Sequence, residues 1–167
     1  MFRKLIATHN DYGMFIVRVA LAAVIFPHGA QKLFGWFGGP GFAGTVDFFS
    51  AAWGIHPVLT TLVVLGESLG AVALALGLVG RFQAFGIAAA MAGAIYYVTG
   101  ANGFFMNWFG NQAGEGYEFH VLTIAMALAV MVRGSGALSL DRVLARWLDR
   151  SPVAATETPA RPVVVVA

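Results

Sequence analysis

The chain has 167 residues, 59% of them hydrophobic and only 11% charged, with a formal charge of +2 and a mean hydropathy of +0.76. Soluble domains carry roughly 25% charged side chains, so this chain has too few to clothe a globular surface in water. The small net charge argues against a nucleic-acid partner, and the lack of cysteine rules out disulfides, thiol catalysis and cysteine metal ligation. What remains is an integral membrane protein of one domain, residues 1–150, because four or five spans exhaust the length.

The N-terminus reads as an uncleaved anchor rather than a signal peptide, since Arg18 interrupts the apolar stretch and no small-x-small cleavage site precedes the polar residues. Four apolar stretches follow, at about 12–34, 58–79, 82–99 and 117–132. Each is near the length of roughly 20 residues that a crossing helix needs. Arg3 and Lys4 precede the first. Arg81 sits in the turn between the second and third, and Arg133, Arg142, Arg146 and Arg150 follow the fourth. The positive-inside rule therefore predicts both termini in the cytoplasm. The expected fold is an all-α, four-transmembrane-helix bundle.

Between the first two spans, Phe42, Val46, Phe49 and Trp53 recur at helical spacing, while Thr45, Asp47 and Ser50 avoid that stripe. This predicts a short amphipathic outer helix over 42–53. Gly86, Ala90 and Gly93 in the third span have the small-residue spacing that lets helices pack closely. After the fourth span, Leu140, Val143, Leu144, Trp147 and Leu148 form one stripe of a helix capped by Ser139. It predicts a basic surface helix over 139–149 on the cytoplasmic leaflet. Residues 151–167, rich in Pro, Thr and Val, read as a disordered tail.

The polar residues inside the apolar stretches carry the chemistry. Glu67 lies near the middle of the second span, where a carboxylate is costly unless it is paired or faces a wet cavity. Arg18, Ile25, Gly29 and Lys32 share one stripe of the first helix, with His28 on its flank. Pro27 predicts a bend and a locally opened turn beside His28 and Gln31. At about 1.5 Å rise per residue, His28 lies roughly 22–24 Å from the cytoplasmic end, Glu67 roughly 20 Å and Arg18 only about 8 Å. The expectation is a Glu67–His28–Lys32 network in the outer half, with Arg18 a separate inner charge. His120 is expected in the same outer zone, with Glu118, Asn102, Asn107 and Asn111 nearby. Two readings stay open here. Either the cluster is structural glue that locks the bundle, as buried ion pairs do, or it lines a cavity where a small lipophilic molecule binds and exchanges protons. A quinone headgroup suits such a cavity, with Phe26, Phe34, Trp36 and Phe37 as candidate walls. Three histidines and a carboxylate could make a metal site, but no two are spaced i, i+4 on one helix, so no metal is expected.

The string Arg18-Val19, His28-Gly29-Ala30-Gln31-Lys32-Leu33, Gly66-Glu67-Ser68-Leu69-Gly70 and Leu76-Gly77 resembles the DoxX family of small bacterial membrane proteins, over about 15–132. The resemblance implies four transmembrane helices in the bacterial inner membrane and a link to membrane redox chemistry. Related proteins form a membrane subunit of thiosulfate:quinone oxidoreductase, and others associate with enzymes that handle thiols or oxidative stress. It places Arg18, His28, Gln31, Lys32 and Glu67 at the family's motif positions. On that basis Glu67 and His28 are expected to handle protons as the catalytic pair. Arg18 and Lys32 are expected to anchor the substrate, with Gln31 as a hydrogen-bond donor and His120 alongside. With no cysteine, haem-binding pair or nucleotide motif identified, the electron carrier must be a bound quinone or belong to a redox partner subunit. The rival expectation is a non-enzymatic scaffold or small-molecule permease.

Overall fold

A computed structural model describes residues 2–150, and all regular structure among them is helical. A short α1 (Phe2–Ile6) is followed by α2 (Tyr12–Phe34), α3 (Gly41–Trp53), α4 (Pro57–Leu76), α5 (Gly80–Asn102), α6 (Glu118–Arg133) and α7 (Leu140–Arg150). The tail at 151–167 lies outside the described residues. Helices α2, α4 and α5, with 23, 20 and 23 residues, are long and apolar enough to cross a bilayer. The fourth expected span forms α6, which has 16 residues. At the helical rise it extends about 24 Å.

Local signals set the ends of these helices. The carboxylate of Asp11 accepts from Met14 N at 3.1 Å and caps α2. That bond, helped by Arg133 at 2.9 Å and opposed by desolvation, holds the Asp11 carboxyl below its ordinary range. Gly35, at φ 73°, closes α2 in the left-handed conformation, with its N–H on the Ala30 and Gln31 carbonyls. Glycine is the usual residue at such a helix end. Pro57 opens α4 at its first turn. Pro27 does not open α2, which stays helical throughout. The wide turns lie elsewhere, as single π-helical turns at Gly66–Gly70 in α4 and Ile95–Thr99 in α5.

Helix α2 packs against α4 on one side and α6 on the other, and α5 bridges α4 and α6 to complete a ring. Leu21, Ile25, Leu74, Ile87 and Val130 meet in its core. Gly29 sits where α2 crosses α4: a β-carbon there would overlap the Glu67 carbonyl and the Ser68 nitrogen. The short helix α3 lies against α2 and α4. Its buried residue is Thr45, while Phe42 of the apolar stripe is exposed and Val46, Phe49 and Trp53 are half-buried. The Thr45 hydroxyl bonds the Gly41 carbonyl at 2.7 Å and reaches the Lys32 carbonyl at 3.3 Å, which seats α3 on the end of α2.

The end of the bundle that carries α1 and α7 is held by a dense polar network. Asp141 is buried and accepts from Val79 N at 2.7 Å, Gly80 N at 3.0 Å and the Ser135 hydroxyl at 2.5 Å, so it caps α5 from α7. Arg81 donates to the Ala7, Met131 and Val132 carbonyls, closing α6 against the segment after α1. On α7, Ser139 caps the helix as expected, accepting from Arg142 N at 3.4 Å. Its apolar stripe is divided: Leu144 and Leu148 are half-buried, while Leu140, Val143 and Trp147 are exposed.

Candidate functional site

Lys32 and Glu67 meet across the α2–α4 crossing. The Lys32 Nζ lies 2.5 Å from the Glu67 carboxylate, whose side chain is 6% exposed against 21% for Lys32. Two features bring them together. Gly29 lets the α2 backbone come down on the Glu67 carbonyl, and the π-turn at Gly66–Gly70 displaces one residue out of the regular α4 ladder at that level. Ser68 steadies the turn by donating to the Val64 carbonyl at 2.6 Å.

The pair forms part of the wall of a cavity of about 480 Å³ between α4 and α5, with α3 also contributing. Ligand pockets span roughly 300–1,000 Å³, so the space is of ligand size. Its wall is mainly apolar, with Phe49, Trp53, Leu59, Leu62 and Tyr97 among its side chains. Side chains with polar groups are few, among them Lys32, Glu67, Tyr97, Thr99 and His120. Two of these have atoms that are buried and unpaired. The Thr99 hydroxyl and the His120 Nδ1 lack a hydrogen-bond partner among the described residues. A buried polar atom left without a partner costs about 1–3 kcal/mol, so both side chains gain by turning these atoms onto a ligand oxygen or hydroxyl in the cavity.

The structure sorts the expected site residues. It brings Lys32, Glu67 and His120 to one cavity. His28 stays outside it on an exposed flank of α2, with its ring 6.0 Å from that of Phe119. The hydrogen bond between Lys32 and His28 runs from Lys32 Nζ to the His28 backbone carbonyl, at 3.5 Å, and not to the imidazole. The expected Glu67–His28–Lys32 network is therefore corrected to Glu67–Lys32 with His120 nearby, because the residue of α2 that faces α4 is Gly29. The Gln31 side chain is half-buried, does not line the cavity and has no hydrogen-bond partner among the described residues.

Arg18 belongs to the opposite end of the bundle. It is fully buried, and its guanidinium donates to the Ser135 carbonyl at 2.8 Å and the Leu138 carbonyl at 3.1 Å. Gly77 leaves the space it fills. The separation of Arg18 from Glu67 agrees with its depth along the chain, but its expected place as a substrate anchor is corrected to a tie between α2 and the segment before α7. An Arg18→Met variant is expected to lose about 2–3 kcal/mol of stability, the scale of hydrogen bonds to a charged donor. It should bind a cavity ligand with unchanged affinity, read by thermal unfolding and ligand titration on the same sample.

Other expectations shift for similar reasons. Phe26 and Phe34 pack on Trp36 at 6.4 and 5.1 Å between ring centroids, in a cluster outside the cavity, whose aromatic walls are Phe49, Trp53 and Tyr97. Glu118 accepts from Met106 N at 3.3 Å and Asn102 donates to the Glu115 carbonyl at 3.0 Å, so both organise the loop before α6. Among the described residues, no three His, Asp or Glu side chains gather as a metal site. Thr99 is not among the expected site residues, and its only local signal is a hydroxyl at the end of an apolar run.

The sequence profile of the DoxX family matches residues 13–100, from α2 to the end of α5, and leaves α6 with His120 outside the matched segment. No curated protein and no solved structure matches the chain. With more than half of its 167 residues matched, and with Gly29, Lys32 and Glu67 of the motif meeting at the crossing of two membrane-length helices, this chain belongs to the DoxX family.

Proposed function

We propose that this protein binds a small lipophilic molecule with a hydrogen-bonding headgroup, of which a quinone is the best fit, and serves as the membrane subunit of a redox system. One observation carries the reading. A ligand-sized, mainly apolar cavity is lined by an ion pair and by Thr99 and His120, each with a buried polar atom that lacks a partner among the described residues. Apolar walls suit a ring, and the two unpaired groups suit its oxygens. Reduction of a quinone to a quinol consumes two electrons and two protons. Electrons come from a partner subunit, and Glu67, Lys32 and His120 are the groups placed to pass protons to the quinone oxygens.

In this reading α6 is the fourth crossing helix of a four-helix bundle in the bacterial inner membrane. The arginines at positions 81, 133, 142 and 146 put the end with both termini in the cytoplasm. The exposed Val143 and Trp147 of α7 then rest on the inner leaflet beside those arginines.

The test is equilibrium binding of the tailless ubiquinone headgroup to the full chain in nanodiscs. A His120→Phe variant, which removes a hydrogen-bonding nitrogen and keeps an aromatic ring, is expected to weaken binding roughly tenfold with little change in unfolding temperature. Binding unaffected by that change would contradict the assignment. If Glu67→Gln then altered only stability, the ion pair would be scaffold alone.

A further inference from the structure

Three glycines of the cavity wall make no close packing contact among the described residues. Gly66 on α4 and Gly86 and Gly93 on α5 all line the cavity, and a β-carbon built on any of them meets no atom within 4 Å. This corrects the expectation that Gly86, Ala90 and Gly93 pack one helix on another. Close helix packing has a different signature here, as at Gly29, where the added carbon strikes backbone. Glycine inside a helix weakens it relative to alanine, so three open glycines are a cost that no close contact among the described residues offsets. Gly86 and Gly93 are two turns apart on α5. That spacing places them roughly 10 Å apart along one face. Exposed Leu62 on α4 and Ala89 on α5 bring the cavity lining to the outer surface of the bundle, where lipid would lie.

A second observation fixes what sort of molecule runs along this wall. Thr99, one and a half turns beyond Gly93, lines the same cavity and is 6% exposed, and its buried hydroxyl has no partner among the described residues. The buried His120 Nδ1 and the Lys32–Glu67 pair complete a polar set. A second copy of the chain, or a lone lipid tail, would cover the glycines and leave those atoms unsatisfied. A molecule with a polar head and an attached apolar chain meets both needs.

We infer that the Gly66–Gly86–Gly93 wall is a lateral groove that seats the hydrocarbon chain of a membrane-resident lipophile, whose head reaches Thr99 and His120 while the chain leaves between α4 and α5. The inference rests on the proposed binding function and narrows its ligand from any small quinone to the long-chain class that enters from the bilayer. In lipid the chain is already among hydrocarbon, so its preference for the groove comes from close packing against glycine backbone rather than from leaving water.

The experiment compares decylubiquinone with the tailless ubiquinone headgroup, each titrated as mole fraction in the nanodisc lipid. Wild-type protein is expected to prefer the decyl form by roughly tenfold, and Gly86→Leu and Gly93→Leu to abolish that preference while leaving headgroup affinity within about twofold. Leucine improves helix propensity and enters open space at both positions, so these variants are expected to unfold at or above the wild-type temperature. A tail preference that survives both leucines overturns the groove. So does a change in oligomeric state, read by cross-linking, with ligand binding untouched, because the stripe would then face a second copy. A wild type that binds the two probes equally defeats the groove alone, whereas one that binds neither defeats the underlying site.

Discussion

Replacing Lys32 with methionine is expected to destabilise the protein by about 3–5 kcal/mol, the scale on which breaking a buried ion pair strands a charge. Glu67→Leu is expected to cost less, about 1–3 kcal/mol, the scale of a lost buried partner. The asymmetry comes from position. Glu67 lies well inside α4, which starts at Pro57. It is roughly 15 Å along that helix, on a short stem that cannot reach water. Lys32 is near the end of α2, and its long stem lets the ammonium swing towards the interface once Glu67 is gone. Removing both charges together, in Lys32→Met/Glu67→Leu, is expected to restore most of the larger loss, because no charge is then left unpaired. A reversible unfolding assay on the four proteins of this cycle reads the coupling. Equal and additive losses would mean that the 2.5 Å contact carries no energy.

Gly29→Val is expected to be among the most damaging single substitutions in the membrane portion, at about 3 kcal/mol or with failure to accumulate folded protein. The added carbons would overlap the Glu67 carbonyl and the Ser68 nitrogen, which are backbone and cannot rotate away. The two helices must separate, and that separation also pulls Lys32 from Glu67. The contrast with Gly86→Leu is informative. A larger side chain in the same bundle is expected to be tolerated there, because the space around Gly86 is open. Parallel thermal unfolding of the two variants checks the pair of expectations, and comparable losses would show that the crossing is looser than the structure has it.

The sequence carried the long helices and the principal contact well. Hydropathy located α2, α4 and α5 to within a few residues, since lipid leaves few ways to satisfy a backbone. Depth along those helices put Glu67 level with His28 and within reach of Lys32, with Arg18 far below; in the structure Glu67 meets Lys32, and Arg18 bonds the Ser135 carbonyl instead. What could not be read depends on contacts between distant segments. Arg18 finds its partners in the Ser135 and Leu138 carbonyls, presented by a turn that folds back beneath α2, and no local pattern announces that return. Asp141 stands among arginines on an amphipathic helix and looks like a surface charge, yet it is buried as the cap of α5. The stripes of Phe42, Val46, Phe49 and Trp53 and of Gly86, Ala90 and Gly93 are each periodic enough to place on one face. Periodicity does not say whether a face meets a helix, a loop or a cavity. Thr99 and His120 are distinguished by the lack of a partner, a property of the assembled fold alone.

The most direct test of the ligand site uses Trp53, the tryptophan of the cavity wall. Decylubiquinone titrated into wild-type protein in nanodiscs is expected to quench tryptophan fluorescence along a saturable curve, and Trp53→Phe is expected to remove that saturable component. Linear quenching in wild type, or a saturable curve that persists in Trp53→Phe, would contradict a quinone-binding cavity beside Lys32, Glu67 and His120.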